Sequence, residues 1–354
     1  MPRRSDRMPP TRPRRLTAGD RIAAVTPSWG GPATFPHRYQ AGKRQLEQNF
    51  GVSIVEMAHT LAPADWIAAN PKARAQDLME AFADPSIAGI ITTIGGDDCI
   101  RLIPFLDLEV IRQNPKVFLG FSDTTSLHLA CHAAGVASFY GPSIMAGFAE
   151  NAGMHRFTVD GVQRALFRAE PLGPIPPNAD GWTAERLDWS DPDLQQRPRK
   201  MLPATGPLLL QGHGIAAGRL LGGCADVLEM TKATAWWPPP AAWEGAILFY
   251  ETSEEAPAPH LVRYWLRNFA AQGILSRLSG ILLARPDPLG DDSYQTRLEL
   301  EIVAGLEEAG LADLPVLSRL DFGHTQPMLT LPYGALAQID CATATLSIVE
   351  AGVV

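Results

Sequence analysis

The sequence predicts an α/β protein whose N-terminal half is a mostly parallel, doubly wound sheet and whose C-terminal half is a second α/β unit. Three observations carry this. From residue 20 onward, short apolar runs alternate with segments of helical spacing, the pattern of strand-helix-strand units. The run 87–94 (IAGIITTI) is continuous and β-branched, as expected of a strand covered on both faces. Finally, 354 residues with 46% hydrophobic and 19% charged content suit a two-domain globule with a large core.

The elements follow in order. Residues 21–26 (RIAAVT) form a strand closed by the turn-rich Pro27, Ser28, Trp29, Gly30 and Gly31. Residues 38–49 read as a helix and 52–56 as a second strand. Residues 72–83 form an amphipathic helix with Leu78, Met79 and Phe82 on one side, stopped at Asp84-Pro85. The strand 87–94 runs into Gly95-Gly96-Asp97-Asp98, and 117–121 repeats the theme. In such sheets ligands gather at the carboxyl ends of strands, where Gly95, Gly96 and Ser122 fall. Residues 166–206 hold many prolines, Trp182, Trp189 and the basic run 197–200, and read as an interdomain connection carrying ligand contacts. Beyond 207 come strand-like 246–250 and 280–284, helix-like 260–271, and a hairpin over 335–349. The expected division is thus 1–16, 17–165, 166–206 and 207–354.

The net charge is −8, but residues 1–16 carry six arginines against Asp6, a local +5 that leaves −13 on the rest. An acidic body disfavours a nucleic-acid surface, which needs dense Lys and Arg. The basic segment 1–16 is expected to be a disordered tail. No apolar stretch follows its arginines as in a signal peptide, and none is long enough to span a bilayer, so a cytoplasmic location without membrane partners is expected. Cys99, Cys131, Cys224 and Cys341 lie far apart without a CxxC pair, suggesting neither zinc nor disulfides. No metal or other cofactor is expected.

The strand 117–121 meets a helix, 125–134, through a turn at Ser122, the layout of a nucleophile elbow. Such a turn lifts the hydroxyl off the sheet and leaves the next backbone N–H at a helix N-terminus, ready for developing negative charge. Gly120 stands two before the serine, but Thr124 stands where G-x-S-x-G requires glycine, and a serine there also reads as an ordinary N-cap. A serine nucleophile needs an imidazole base and a carboxylate to orient it. Glu251 at the end of AILFYE and His324 in DFGHTQP are one of each, though spacing alone does not select them among eight histidines.

Read in order, IGGDD (94–98), GFSDTT (120–125), YGP (140–142), LGG (221–223), LFYETSEE (248–255) and GH (323–324) resemble the LD-carboxypeptidase family of serine peptidases (peptidase family S66), especially its microcin C self-immunity branch. The resemblance runs from about residue 18 to the C-terminus. It implies an N-terminal flavodoxin-like nucleophile domain, a C-terminal swivelling β/α domain that supplies Glu and His, and a homodimer. It also implies a triad of Ser122, Glu251 and His324, with an oxyanion hole from the N–H groups of Asp123 and Gly95. Gly96 and Asp97 are implied as substrate contacts. The murein branch of the family cuts muropeptides and tends to carry R-G-G-Y-G, from which TIGGDD departs. The microcin branch hydrolyses the amide joining a peptide or aminoacyl group to an adenylate-like nucleotide, with a loop tryptophan stacked on adenine. Trp182 or Trp189 takes that part here or else packs on the domain surface. The expected substrate is a small peptide or peptide-nucleotide conjugate. The rivals are a muropeptide LD-carboxypeptidase and a non-catalytic binding module.

Other motifs read as structural. His128 and His132 are four apart on one helix, but the HExxH glutamate is missing, so packing is expected. Asp97 and Asp98 either cap the next helix or orient a substrate amine. The stiff WWPPP stretch (236–240) reads as a domain or dimer contact, and Glu254 and Glu255 read as solvated.

Overall fold

The computed structural model describes residues 9–354. Its strands in chain order are β1 (Arg21–Val25), β2 (Ser53–Glu56), β3 (Gly89–Thr92), β4 (Val117–Gly120), β5 (Ser138–Tyr140), β6 (Gly173–Pro174) and β7 (Leu208–Gln211). They continue with β8 (Ile215–Cys224), β9 (Ile247–Glu251), β10 (Gly280–Ala284), β11 (Val316–Leu320), β12 (Leu331–Tyr333), β13 (Leu336–Asp340) and β14 (Thr345–Ile348).

The first sheet has the order β12-β5-β4-β3-β1-β2, and the five strands from the N-terminal half are parallel to one another. The order 2-1-3-4-5 is that of the flavodoxin-like, doubly wound sheet. Its central strands β3 and β4 are buried along their full length, which explains their unbroken apolar sequence. The second sheet has the order β6-β14-β13-β8-β9-β10-β11-β7, with a parallel core β8-β9-β10-β11 and antiparallel additions at both sides.

Two strands tie the halves together. β12 returns from the C-terminal half to pair antiparallel with β5, and β6 from the connecting segment pairs with β14. His324 lies just before β12 in the chain, so the strand that crosses between the halves anchors the histidine's loop.

The expectation of a disordered tail over 1–16 fails for its second half. Thr11 donates to the carbonyl of Gly135 at 2.8 Å, Arg15 donates to that of Val354 at 2.9 Å, and Leu16 is buried. The apolar Leu16 and these backbone pairings outweigh the basic composition that suggested disorder. Residues 1–8 lie outside the described residues. Among the described residues no helix is long and apolar enough to cross a membrane.

Candidate active site

β4 ends at Gly120, Phe121 continues extended at φ −148°, and Ser122 then turns to φ 63° before the helix Thr125–Ala134 begins. A side-chain-bearing residue in the left-handed region costs about 1–3 kcal/mol, and the surroundings must hold it there. The Ser122 N–H donates to the Tyr140 hydroxyl at 3.0 Å, while the Thr125 hydroxyl donates to the Ser122 carbonyl at 2.7 Å. Below the turn, His128 donates from Nε2 to the Gly120 carbonyl at 3.0 Å and meets the Ser138 hydroxyl at Nδ1, 2.8 Å away. Burial pushes its pKa down to about 4, so it stays neutral. The two nitrogens are thus committed to the end of β4 and the start of β5, which is the packing role its sequence context suggested.

Glu251 closes β9 and His324 follows β11, and the second sheet delivers both to the serine. His324 Nδ1 lies 2.5 Å from Glu251 Oε2, and its Nε2 lies 3.0 Å from Ser122 Oγ. The other carboxylate oxygen, Oε1, accepts the Tyr140 hydroxyl at 2.5 Å. Tyr140 therefore links the Glu251 carboxylate to the Ser122 backbone. Gly323 makes the approach possible: at φ 83°, a Cβ there would sit 2.6 Å from Glu251 Oε2. The edge of Phe121 packs on the imidazole with ring centres 5.2 Å apart.

Glu254 departs from the expectation of a solvated side chain. Its Oε2 is 2.8 Å from His324 Nε2, the nitrogen that faces the serine, although half of the side chain remains exposed. The contact with His324 holds the Glu254 carboxyl down to about 2. Burial alone would lower the imidazole pKa, but Glu251 and Glu254 at opposite nitrogens overcome it and hold His324 well above its usual 6.5.

The glycine loop lies against the hydroxyl. A Cβ on Gly95 would be 3.1 Å from Ser122 Oγ and 3.5 Å from the Asp123 nitrogen, so these groups surround one small space. The Asp123 carboxylate clamps that loop to the elbow, accepting from Ser28 Oγ at 2.6 Å and from the N–H groups of Cys99 and Asp98 at 2.7 and 2.8 Å. Burial raises its pKa in spite of these bonds. Gly96, at φ 142°, leaves room where a Cβ would strike Ser28 Oγ at 2.4 Å. Asp98 forms ion pairs with Arg74 at 2.7 Å and Arg101 at 3.1 Å and caps nothing with its side chain. Asp97 faces the cleft.

That cleft has a volume of about 670 Å³ and is bounded by residues of both halves, with Ser122 and His324 in its wall. Trp189 lines it, with the Arg38 guanidinium 4.1 Å above the ring and Phe35 on its edge. Burial lowers the Arg38 pKa to about 10, leaving it charged at neutral pH. Trp182, the other candidate, lies outside the cleft lining: its backbone pairs with Leu202 and its ring packs under Arg285 at 4.8 Å. The basic run is largely neutralised within the fold, since Arg197 pairs with Glu185 at 2.5 Å and Arg199 with Glu150. Tyr140 and Glu254 are the site residues that sequence reasoning passed over. Tyr140 was signalled only by its place in the YGP motif, and Glu254 only by its nearness to Glu251.

Both halves of the chain are similar to known proteins. Residues 22–141 match the LD-carboxypeptidase N-terminal domain, and residues 217–339 match the LD-carboxypeptidase C-terminal domain. The microcin C7 self-immunity protein MccF of Escherichia coli is 29% identical over 336 residues, covering 95% of this chain and 94% of the relative. An MccF-like protein from Streptococcus pneumoniae, solved in complex with AMP, superposes with a TM-score of 0.83 at 30% identity, over 93% of this chain and 98% of that one. MccF in complex with aspartyl sulfamoyl adenosine gives a TM-score of 0.84 at 28% identity, over 98% and 100%. Two matched domains that together span most of the described chain, in the order and fold of these relatives, establish that this protein belongs to the LD-carboxypeptidase family, peptidase family S66.

Proposed function

We propose that the protein is a serine amidohydrolase of carboxypeptidase type that cleaves the amide between a peptide or aminoacyl group and an adenylate-like nucleotide. The observation that carries the chemistry is the unbroken relay Glu251, His324, Ser122 at 2.5 and 3.0 Å in the wall of a cleft. Ser122 Oγ attacks the carbonyl carbon while His324 Nε2 takes its proton. The same nitrogen then returns the proton to the departing amine, and water repeats the sequence to release the acyl group. Glu251 fixes the tautomer with the proton on Nδ1. The N–H groups of Asp123 and Gly95 hold the charge that develops on the tetrahedral oxygen, a reading supported by how near Gly95 and the Asp123 nitrogen lie to the Ser122 hydroxyl.

The nucleotide part of the reading rests on Trp189, an aromatic face in the cleft beside Arg38, and on relatives solved with AMP and with aspartyl sulfamoyl adenosine. The test is a hydrolysis screen of aminoacyl-sulfamoyl adenosines beside L,D-tetrapeptides of murein type. Turnover of the adenosines alone supports the reading. Turnover of the tetrapeptides alone assigns the protein to murein peptides instead.

Replacing Trp189 by Ala should raise KM for an adenosine substrate about tenfold or more, the loss of roughly 1–3 kcal/mol of stacking, and leave small peptide amides unaffected. Trp182→Ala should change KM for neither substrate type, because its ring is engaged by Arg285 outside the cleft lining. Equal losses on both substrate types for Trp189→Ala would make it a packing residue.

His324 must be neutral to accept the serine proton, and its pKa is raised. The profile of kcat/KM should therefore climb with pH about tenfold per unit and level off only above roughly 6.5. A profile flat from about pH 5 to 8 would rule out His324 as the base.

A further inference from the structure

The polar groups of the cleft divide unevenly between those already satisfied and those still waiting for a partner. Its cations are committed to the protein. Arg38 donates to the Met145 carbonyl, Asn151 and Gln195; Arg186 pairs with Asp287 at 2.8 Å; Arg199 is held by Glu150. Apart from the backbone N–H groups assigned to the oxyanion, the unpartnered charged and buried side-chain atoms of the cleft are acceptors. Among the described residues the carboxylates of Asp97 and Glu255 meet no side-chain partner, and Gln326 Oε1, on a residue 94% buried, has none either. A cleft of this kind asks for a ligand that donates.

Glu254 shows where such a donor goes. Its carboxylate stands 2.8 Å from His324 Nε2. The groups around it are His324 on the loop after β11, Arg186 on the connecting segment, which donates to the Glu254 carbonyl and is itself paired with Asp287, and Asp226, which accepts the Ser253 N–H at 3.1 Å. Around His324 are Glu251, Ser122 and the Phe121 ring. Arg186 acts on the Glu254 carboxylate only from a distance and is paired with Asp287, so among the described residues the imidazole is the positive group in direct contact with that carboxylate. Because Nε2 also faces Ser122 Oγ, anything that takes the imidazole's place at Glu254 lies within one residue of the scissile carbonyl.

We propose that Glu254 receives an ammonium group on the acyl residue of the substrate, and that in the empty enzyme the His324 imidazolium stands in for it. This rests on the hydrolase reading above and names the acyl group that the site selects. When the substrate's ammonium engages Glu254, the carboxylate no longer favours the charged imidazole, and His324 is freed to act as a base toward Ser122. Glu254 is in this account a positioning residue for His324 and a specificity residue for substrate.

The test separates binding from turnover by using Ser122→Ala, which keeps the cleft but cannot cleave. Its ligands are lysyl-, norleucyl- and Nα-acetylnorleucyl-sulfamoyl adenosine and the matching dipeptides ending in D-Ala, with Kd measured by calorimetry. Lysyl tighter than norleucyl by about tenfold assigns the side-chain ammonium, and norleucyl tighter than its acetylated form by the same factor assigns the α-ammonium. In either case the preference should fall to about twofold when Glu254→Gln is added. No preference in either series, or no binding by any member, overturns the proposal. Independently of any ligand, the His324 imidazole resonances of the otherwise unmodified enzyme should titrate at least about one pH unit lower in Glu254→Gln, with Glu254→Asp in between. An unchanged midpoint also overturns it. Failure of the hydrolase reading itself looks different: the wild-type enzyme would turn over none of these compounds while Ser122→Ala still discriminated among them.

Discussion

Ser122→Ala and His324→Ala should each abolish hydrolysis almost completely while the protein stays folded. In the proposed mechanism the two side chains act as a unit, so removing either one disables the other, and losses of several powers of ten are expected in kcat. The fold should tolerate both changes for separate reasons. Alanine at 122 keeps a Cβ in the same left-handed backbone, and the bonds that hold that turn run from the Ser122 backbone to Tyr140 and Thr125, not from its hydroxyl. At 324 the lost imidazole leaves Glu251 with its Tyr140 bond, although removing the cation between Glu251 and Glu254 costs more than the serine change does. The measurements are turnover and thermal midpoint on the same preparations. Either variant retaining more than about a tenth of the wild-type rate would dismiss the relay as the source of activity.

Much of this architecture can be read from the sequence because local chemistry dictates it. A β-branched run such as that over 87–94 has few alternatives to a doubly covered strand, and β3 occupies its centre. The elbow is legible for the same reason: an apolar strand, a small residue, a serine and a helix in succession permit few geometries. The hairpin β13-β14 lies inside the segment 335–349. What escapes is set by tertiary pairing. β12 is three residues, Leu-Pro-Tyr, with a proline in the middle, and nothing local indicates that it pairs across the molecule with β5. The long strand β8 has glycines at 218, 222 and 223, residues that weaken a strand signal, yet Gly222 is required because a Cβ there would lie 1.8 Å from the Phe249 carbonyl oxygen of the adjacent strand. The helix Tyr294–Glu308 carries Leu298, Ile302 and Leu306 at intervals of four, a legible signal in a stretch that composition marks only as charged. In the site, Ser122, Glu251 and His324 are recoverable through motif order, whereas the position of Glu254 depends on how the loop after β9 folds back toward His324. Residues 9–16 illustrate the opposite error, where a basic composition masks the one buried leucine that docks the segment.

Glu251→Gln should be nearly as damaging as loss of the serine, by about 10⁴ in kcat, with the backbone unchanged. The reason lies in the hydrogen-bond inventory around that one side chain. As a carboxylate, Glu251 accepts at both oxygens, from the Tyr140 hydroxyl at 2.5 Å and from His324 Nδ1 at 2.5 Å. A glutamine has one acceptor and one donor at these places. If its oxygen stays toward Tyr140, its amide donates to Nδ1, the imidazole proton moves to Nε2, and the base can no longer take a proton from Ser122. If its oxygen turns to Nδ1, its amide faces the Tyr140 hydroxyl, which must rotate to accept and so gives up donating to residue 251. The hydroxyl also accepts the Ser122 N–H, so that adjustment crowds the elbow itself. In both arrangements the imidazolium formed during the reaction loses its counter-charge at Nδ1. The pH profile should register this independently of rate: whatever activity remains should have its acid limb displaced to lower pH, because a neutral partner at Nδ1 no longer raises the imidazole pKa. Tyr140→Phe provides the graded comparison. It leaves the Glu251 charge and the Nδ1 contact in place and removes only the tie between carboxylate and elbow, so its loss should fall well short of that in Glu251→Gln. A Glu251→Gln enzyme within about tenfold of wild type, with an unmoved acid limb, would show that the carboxylate does not govern the histidine.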